Sequence, residues 1–339
     1  MKKIIVFLFF SIFILFTCGE GRKGAKGAFD NVFVISNQEM QDTMKSTVDS
    51  CFIYGIRTPA LQQYFQVGWV GMQKFDVYSE YKNVIFLANL DQEGQDQKYA
   101  KAILPDKQYQ LAAKDSTYIF SIKNPFALNQ TMIVIAGKNI ERMKNHIRQQ
   151  KDWIYNKFNK RYVNRIKNYI FGKEKDNKII NRLWDKYHWT FRALDGYKVI
   201  EEQDNFIWLG RMHPFRWISF SWEAGKKPKL FTKEGLLTKR QEIGAKYDSV
   251  GTDTSALGSH YTNFKNYESL KLYGLWYHKN QTKGGPFATY SFYDKKTNRT
   301  FVVDFLLYNP GERSTNIFRR MEILVQTFTT EYKKKGFVK

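Results

Sequence analysis

The chain has 339 residues, 43% of them hydrophobic, and its 54 Lys and Arg against 32 Asp and Glu leave a net charge of +22. That apolar share is enough for real cores and excludes a disordered chain, while two cysteines exclude a disulfide framework and a thiolate metal cluster. The basic excess sets up a field that attracts anions: phospholipid headgroups, acidic glycans or nucleic acid.

The first eighteen residues read as an export signal. Lys2 and Lys3 form a basic head, and Ile4 to Phe16 is apolar apart from Ser11. The run is shorter than the roughly 20 residues a membrane-spanning helix needs. It closes on Leu15-Phe16-Thr17-Cys18-Gly19, where Leu15 stands three residues before a cysteine in the manner of a lipoprotein signal. Thr17 departs from the small residue usual at that place, so a free secreted form and an uncleaved anchor remain as alternatives. The leading expectation is a signal over 1–18, acylation of Cys18, and a flexible tether over 19–27, where four glycines and three basic residues fall. The protein is then exported and lipid-anchored in the bacterial envelope, facing the periplasm or the surface.

An N-terminal half over 28–187 follows. Val32 to Ile35 reads as a strand, and Ser36-Asn37-Gln38-Glu39 has the form of a capping box opening a helix. Met40, Met44, Val48 and Cys51 share one face of that helix, which makes Cys51 a small buried hydrophobe. Phe75 to Tyr78 and Val84 to Ala88 are expected as a hairpin, Gln92 to Gln97 as a polar loop, and Thr117 to Ile122 and Thr131 to Ala136 as two more strands. A long helix carries the stripe Ile140, Met143, Ile147, Ile154 and Phe158 and is expected to fray through Arg165, and Lys173 to Lys178 reads as a charged break. From Lys138 to Lys186 there are 15 Lys and Arg against 5 Asp and Glu, interleaved with aromatics. A solvated basic surface explains this first, a membrane-surface or acidic-glycan patch second; nucleic acid is disfavoured for an exported protein.

The C-terminal half over 188–339 has similar grammar. Phe206 to Leu209 and Arg216 to Trp222 read as strands, with Ile218, Phe220 and Trp222 on one face. Thr232 to Tyr247 suits a helix that gathers Leu236, Leu237, Arg240 and Ile243. Asp248 to His260 is expected as a Gly/Ser/Thr-rich loop, followed by strands Leu272 to Tyr277, Phe287 to Tyr293 and Phe301 to Leu307. A last helix turns Ile317, Met321, Leu324 and Phe328 inward. Short connections imply antiparallel pairing. The expected fold is α+β: two similar halves, each a mainly antiparallel sheet with helices packed on one face.

Reaction motifs are missing: there is no GxSxG elbow, HExxH, Walker loop or GxGxxG. The five histidines have no ligand spacing, so no catalytic residue, metal or cofactor is assigned. Two residues are candidates for ligand binding. His260 ends the long loop beside Asp253, Ser255 and Ser259, although an exposed, satisfied loop histidine is a better explanation than a catalytic base. Trp217 has Ser219 and Ser221 as neighbours on its strand face, which suits an aromatic platform for a sugar, whereas Trp208, Trp222 and Trp276 read as core. Asp304, inside an apolar run, is expected to face solvent.

Asn124-Pro125-Phe126-Ala127-Leu128-Asn129-Gln130 leading into Met132 to Ile135, Phe206-Ile207-Trp208-Leu209, the Leu236 to Arg240 stretch, Gly284-Gly285-Pro286-Phe287 and Tyr308-Asn309-Pro310-Gly311 together resemble an envelope lipoprotein family. It is the domain of unknown function numbered forty-eight thirty-seven. The resemblance spans about Gly27 to Phe328 and implies a cell-envelope lipoprotein of unassigned activity, with no catalytic residues to carry over. Phe126 stands where the family would have Trp. The expectation is therefore a non-enzymatic binding or structural protein, tied to a membrane through Cys18 and meeting an envelope protein or an acidic glycan. An envelope glycan or peptidoglycan hydrolase, with the 248–260 loop at its cleft, is the alternative.

Overall fold

The structure, a computed structural model, describes residues 23–247 and 249–332. The signal, Cys18 and residues 19–22 of the expected tether lie outside the described residues. Residues 23–27 are not a free tether. Ala25 N donates to Leu128 O at 2.8 Å, Leu128 N to Lys23 O at 2.9 Å and Lys26 N to Glu80 O at 3.0 Å, so this segment is docked on the N-terminal half.

That half runs β1 (Asn31–Ser36), α1 (Gln38–Asp49), the small hairpin β2 (Gly55–Arg57) and β3 (Leu61–Gln63), β4 (Gln66–Gly71), α2 (Phe75–Tyr78), β5 (Asn83–Asn89), α3 (Gln95–Ile103), α4 (Asp106–Ala113), β6 (Ile119–Lys123), β7 (Thr131–Gly137), α5 (Ile140–Gln149) and α6 (Lys151–Gly172). The helix opened by Ser36 to Glu39 is capped by Asn37, whose Oδ1 accepts from Met40 N at 2.8 Å. Met40, Met44, Val48 and Cys51 are all buried, and burial pushes the Cys51 thiol up to about 12. The long helix is two, parting at Gln150.

The α+β class holds, but the N-terminal sheet corrects the expected strand directions. Its order is β4-β1-β5-β7-β6, and β1 pairs parallel with β4 and β5, and β5 with β7; only β6 is antiparallel. Phe75 to Tyr78 is a helical turn and not the first arm of a hairpin, so β4 reaches β5 by a crossover. The sequence carries a sign of this. Asn83–Asn89 and Thr131–Gly137 are nearly unbroken apolar runs, buried on both faces as parallel strands are.

The C-terminal half runs α7 (Asn177–Tyr187), β8 (Lys198–Gln203), β9 (Phe206–Arg211), β10 (Phe215–Ala224), α8 (Lys233–Lys246), β11 (Val250–Phe264), β12 (Tyr267–His278), β13 (Gly284–Asp294), β14 (Arg299–Tyr308) and α9 (Thr315–Val325). Its sheet, ordered β11-β12-β13-β14-β10-β9-β8, is antiparallel throughout. The halves share the order strand, turn, helix at β7–α5 and β14–α9, but one strand lies in a largely parallel sheet and the other in an antiparallel one. Their expected likeness stops there.

Helices cover both faces of both sheets, not one face. The largest core lies between the sheets, where Val34, Ile85 and Ile133 of the first face Phe220, Val303 and Phe305 of the second across α1, α5, α6, α7 and α9. A second core packs Phe75, Ala100, Leu104 and Ala112 on the outer face of the first sheet. A third packs Leu236 and Ile243 of α8 on the outer face of the second. Five layers result, and polar bonds tie the halves: Arg313 pairs with Asp30, Asn316 Nδ2 donates to Asp30 Oδ2 at 2.9 Å, and Tyr162 OH donates to Asn316 Oδ1 at 3.0 Å.

Two expectations about single segments are corrected here. Residues 250–260 of the expected 248–260 loop are the start of β11, a sheet-edge strand with a bulge between Asp253 and Gly258. Asp304 does not face solvent. It is fully buried on the outer face of the second sheet, with Arg240 Nε of α8 at 2.8 Å and Thr289 Oγ1 donating to it at 2.6 Å.

Candidate functional site, a cleft between the halves

A cavity of about 420 Å³ opens between the β2–β3 hairpin and α6 on one side and β11, β12 and α9 on the other. Its walls follow from two periodicities. On β12 the odd positions Lys271 and Tyr273 face the cleft, while Leu270, Leu272 and Trp276 point to the outer core. Phe318, Arg319, Glu322 and Ile323 of α9, with Gln326 just past its end, recur at three- and four-residue steps and complete that side. Tyr54, Tyr64 and Tyr155 come from the N-terminal half.

At the back of the cleft, Glu322 takes an ion pair from Lys271 and a hydrogen bond from the Tyr290 hydroxyl. Burial alone would raise the Glu322 carboxyl. The charge of Lys271 and the two hydrogen bonds outweigh it and hold the group below its ordinary value. Burial first, and Glu322 second, push the phenols of Tyr290 and Tyr64 well upward, so both stay neutral donors. Arg319 lies flat on Tyr162, its Cζ 3.6 Å from the ring centroid and 4.6 Å from that of Tyr64. Arg57, Lys271 and Arg319 thus line the cleft against one carboxylate, Glu322.

His260 reaches this cleft from β11. It is exposed, its ring centroid 5.5 Å from that of Tyr273, and its pKa is lowered by burial and then by Lys271, which keeps it neutral at pH 7. The residues grouped with it in sequence do not join it. Asp253 is occupied at the bulge, accepting from Ser255 N at 2.9 Å and Ser255 Oγ at 2.6 Å.

Trp217 lies on the other face of the sheet. It is half-buried among Trp208, Tyr247 and Trp276, at centroid distances of 5.1, 5.6 and 6.3 Å, and lines a cavity of about 160 Å³ with Phe215, Tyr308 and Lys283. The two candidates are therefore not parts of one site. Lys271, Arg319 and Glu322 escaped sequence reasoning because 51 positions separate the paired Lys271 and Glu322. The only local signals were the alternation of β12 and the three-residue step from Arg319 to Glu322.

Glycoside cleavage requires two carboxyl groups at a set separation. Among the described residues the cleft offers Glu322 alone, paired with Lys271. No group of three or more His, Cys, Asp or Glu suited to a metal occurs among the described residues. Aromatic walls with fixed cations are equipped to hold a ligand, and an anionic one best.

Residues 25–171 match the profile of a domain of unknown function, DUF8532, and residues 174–327 that of a second, DUF4837. The sequence likeness to the latter thus rests on the C-terminal half. Among solved structures, a protein of Bacteroides thetaiotaomicron is 9% identical with a TM-score of 0.27, over 44% of this chain and 47% of its own. The chain spans about half the length of that protein. The Saccharomyces cerevisiae Ran-binding protein Mog1p is 11% identical at 0.31, over 42% and 90%. LpqN of Mycobacterium tuberculosis, described as involved in cell envelope biogenesis, is 9% identical at 0.28, over 42% and 82%. Similarity this low carries no functional argument. No curated protein matches the sequence. The stretch of this chain that resembles DUF4837, a domain of unknown function, is thus residues 174–327.

Proposed function

We propose that the protein is a non-enzymatic binding protein of the cell envelope, held to a membrane through acylated Cys18, with an acidic glycan as ligand of the cleft. The observation that carries the reading is the cleft's charge and shape: aromatic walls, Arg57, Lys271 and Arg319, and one carboxylate already spoken for. Tyrosine rings suit the apolar face of a sugar, and fixed cations suit its acid groups. The export signal supports the location. No helix among the described residues is long and apolar enough to cross a membrane.

Calorimetric titration of the full-length protein with muropeptides, whose stems carry carboxylates, tests the ligand against neutral chitooligosaccharides. Muropeptides are expected to bind more tightly, and Arg57→Ala to weaken them several-fold. Equal affinity for the neutral sugar, or no binding, removes the acidic-glycan reading. Shortened glycan products would restore the hydrolase alternative. In fractionated cells, Cys18→Ala is expected to move the protein out of the membrane fraction, and retention there rules out the anchor.

A further inference from the structure

Helix α9 separates the cleft from a second cavity. Its other face, Ile317, Arg320, Met321 and Leu324, lines a space of about 330 Å³ closed by the end of α6 and by β9 and β10. Three guanidinium groups converge there: Arg211 of β9, Arg216 of β10 and Arg320 of α9. Arg211 and Arg216 are direct cross-strand partners, which sets their Cβ atoms roughly 4.5–5.5 Å apart, an arrangement that is destabilising for like charges. Among the described residues none of the three has a carboxylate within ion-pair distance, although Glu174 and Asp195 also line the cavity.

The unmet valence is specific. Arg216 Nε and Arg320 Nε are buried with no hydrogen-bond partner, a costly state for a charged donor. Arg320 is fixed by Tyr169, its Cζ 4.8 Å from the ring centroid. Burial pushes the Arg216 guanidinium below its ordinary value, with Tyr197 acting against it and the charges of Arg211 and Arg320 adding to it. The Tyr197 phenol is itself raised to about 12 by burial, so it stays neutral at pH 7.

We propose that Arg211, Arg216 and Arg320 form a binding site for a phosphate group, distinct from the glycan cleft. Guanidinium forks match phosphate oxygens two at a time, and three of them around one cavity can satisfy a single tetrahedral anion. Bound phosphate cancels the repulsion between β9 and β10 and gives the two Nε donors acceptors. The phosphate belongs either to a lipid headgroup or to a free ion, and both present the same oxygens.

Isothermal titration of the full-length protein at constant ionic strength separates these sources. The probes are inorganic phosphate and glycerophosphoglycerol, the deacylated headgroup of phosphatidylglycerol, with chloride as control. Saturable binding of at least one probe is expected, weakened roughly tenfold to a hundredfold by Arg320→Gln and by Arg211→Gln. Without phosphate both variants are expected to melt at or above the wild-type temperature, since each relieves like-charge repulsion. Tighter binding of the diester assigns the site to a headgroup, and tighter binding of the ion assigns it to free phosphate. Absence of saturable binding to either probe overturns the proposal, as does unchanged affinity in both variants.

Discussion

Two ion pairs occupy opposite faces of the same antiparallel sheet and are used differently. Arg240–Asp304, on the outer face, is sealed under α8 with both side chains at 0% exposure. Lys271–Glu322, on the inner face, keeps 13% and 17% of its side chains exposed at the back of a cavity. The first contributes little Coulombic profit beyond its own desolvation, and Arg240 Nη1 and Nη2 find no acceptor. Its effect is directional: it pins α8 to β14 through one position. The second stays within reach of solvent and ligands. A charged pair in a core and a charged pair in a cleft have the same chemistry, and burial decides whether it specifies architecture or a site.

Removing one member tests the contrast most strongly at the sealed pair. Asp304→Ala strands an unpaired guanidinium in an apolar layer and is expected to cost about 3–5 kcal/mol in chemical denaturation. A loss below about 1 kcal/mol would mean that water reaches Arg240, and the distinction between the pairs would collapse.

Glu322→Gln, with Lys271 still able to find water, is expected to cost about 1–3 kcal/mol at pH 7. Its pH dependence sharpens the point. The Glu322 carboxyl is held below its ordinary value, so its stabilisation is complete above the unfolded value and is lost as pH falls through the folded one. The gap between wild type and Glu322→Gln should therefore close below about pH 4.5. Asp304 has the opposite sign, because burial raises it against the pull of Arg240: its contribution is complete at low pH and is lost as pH rises through the folded value. A gap for Glu322→Gln that widens in acid would contradict the assignment of that pair.

The smallest effect is expected at His260. It is exposed on β11, so His260→Ala should shift stability by no more than about 0.5 kcal/mol. Muropeptide affinity should also change less than for Arg57→Ala. A larger loss of affinity would make the histidine, and not the cations, the recognition element of the cleft.

Local rules read the amphipathic helices and strands well. The spacing of Met40, Met44, Val48 and Cys51 found the buried face of α1, and the alternation Ile218, Phe220, Trp222 found the inner face of β10. What failed depended on partners distant in sequence. The runs in β5 and β7 look alike whether their neighbours are parallel or antiparallel, and short polar residues from Asp253 to Ser259 disguise an edge strand as a loop. Asp304 looked like a solvent-facing residue because its partner Arg240 sits on a helix 64 positions earlier. His260 was legible as a cleft residue. Trp217 was legible as an unusual aromatic, but not which face it serves, since that is fixed only when α8 packs.

The docking of residues 23–27 on the N-terminal half has a mechanical consequence for an acylated Cys18. Lys23 is already fixed to the loop at Leu128, and five chain steps of at most 3.6 Å separate it from Cys18. The leash is thus no longer than about 18 Å, a short stand-off for a body of this size. An acyl group on Cys18 would bring the rim bearing Lys23, Lys82 and the exposed Leu128 down toward the headgroups, and would set orientation as well as address.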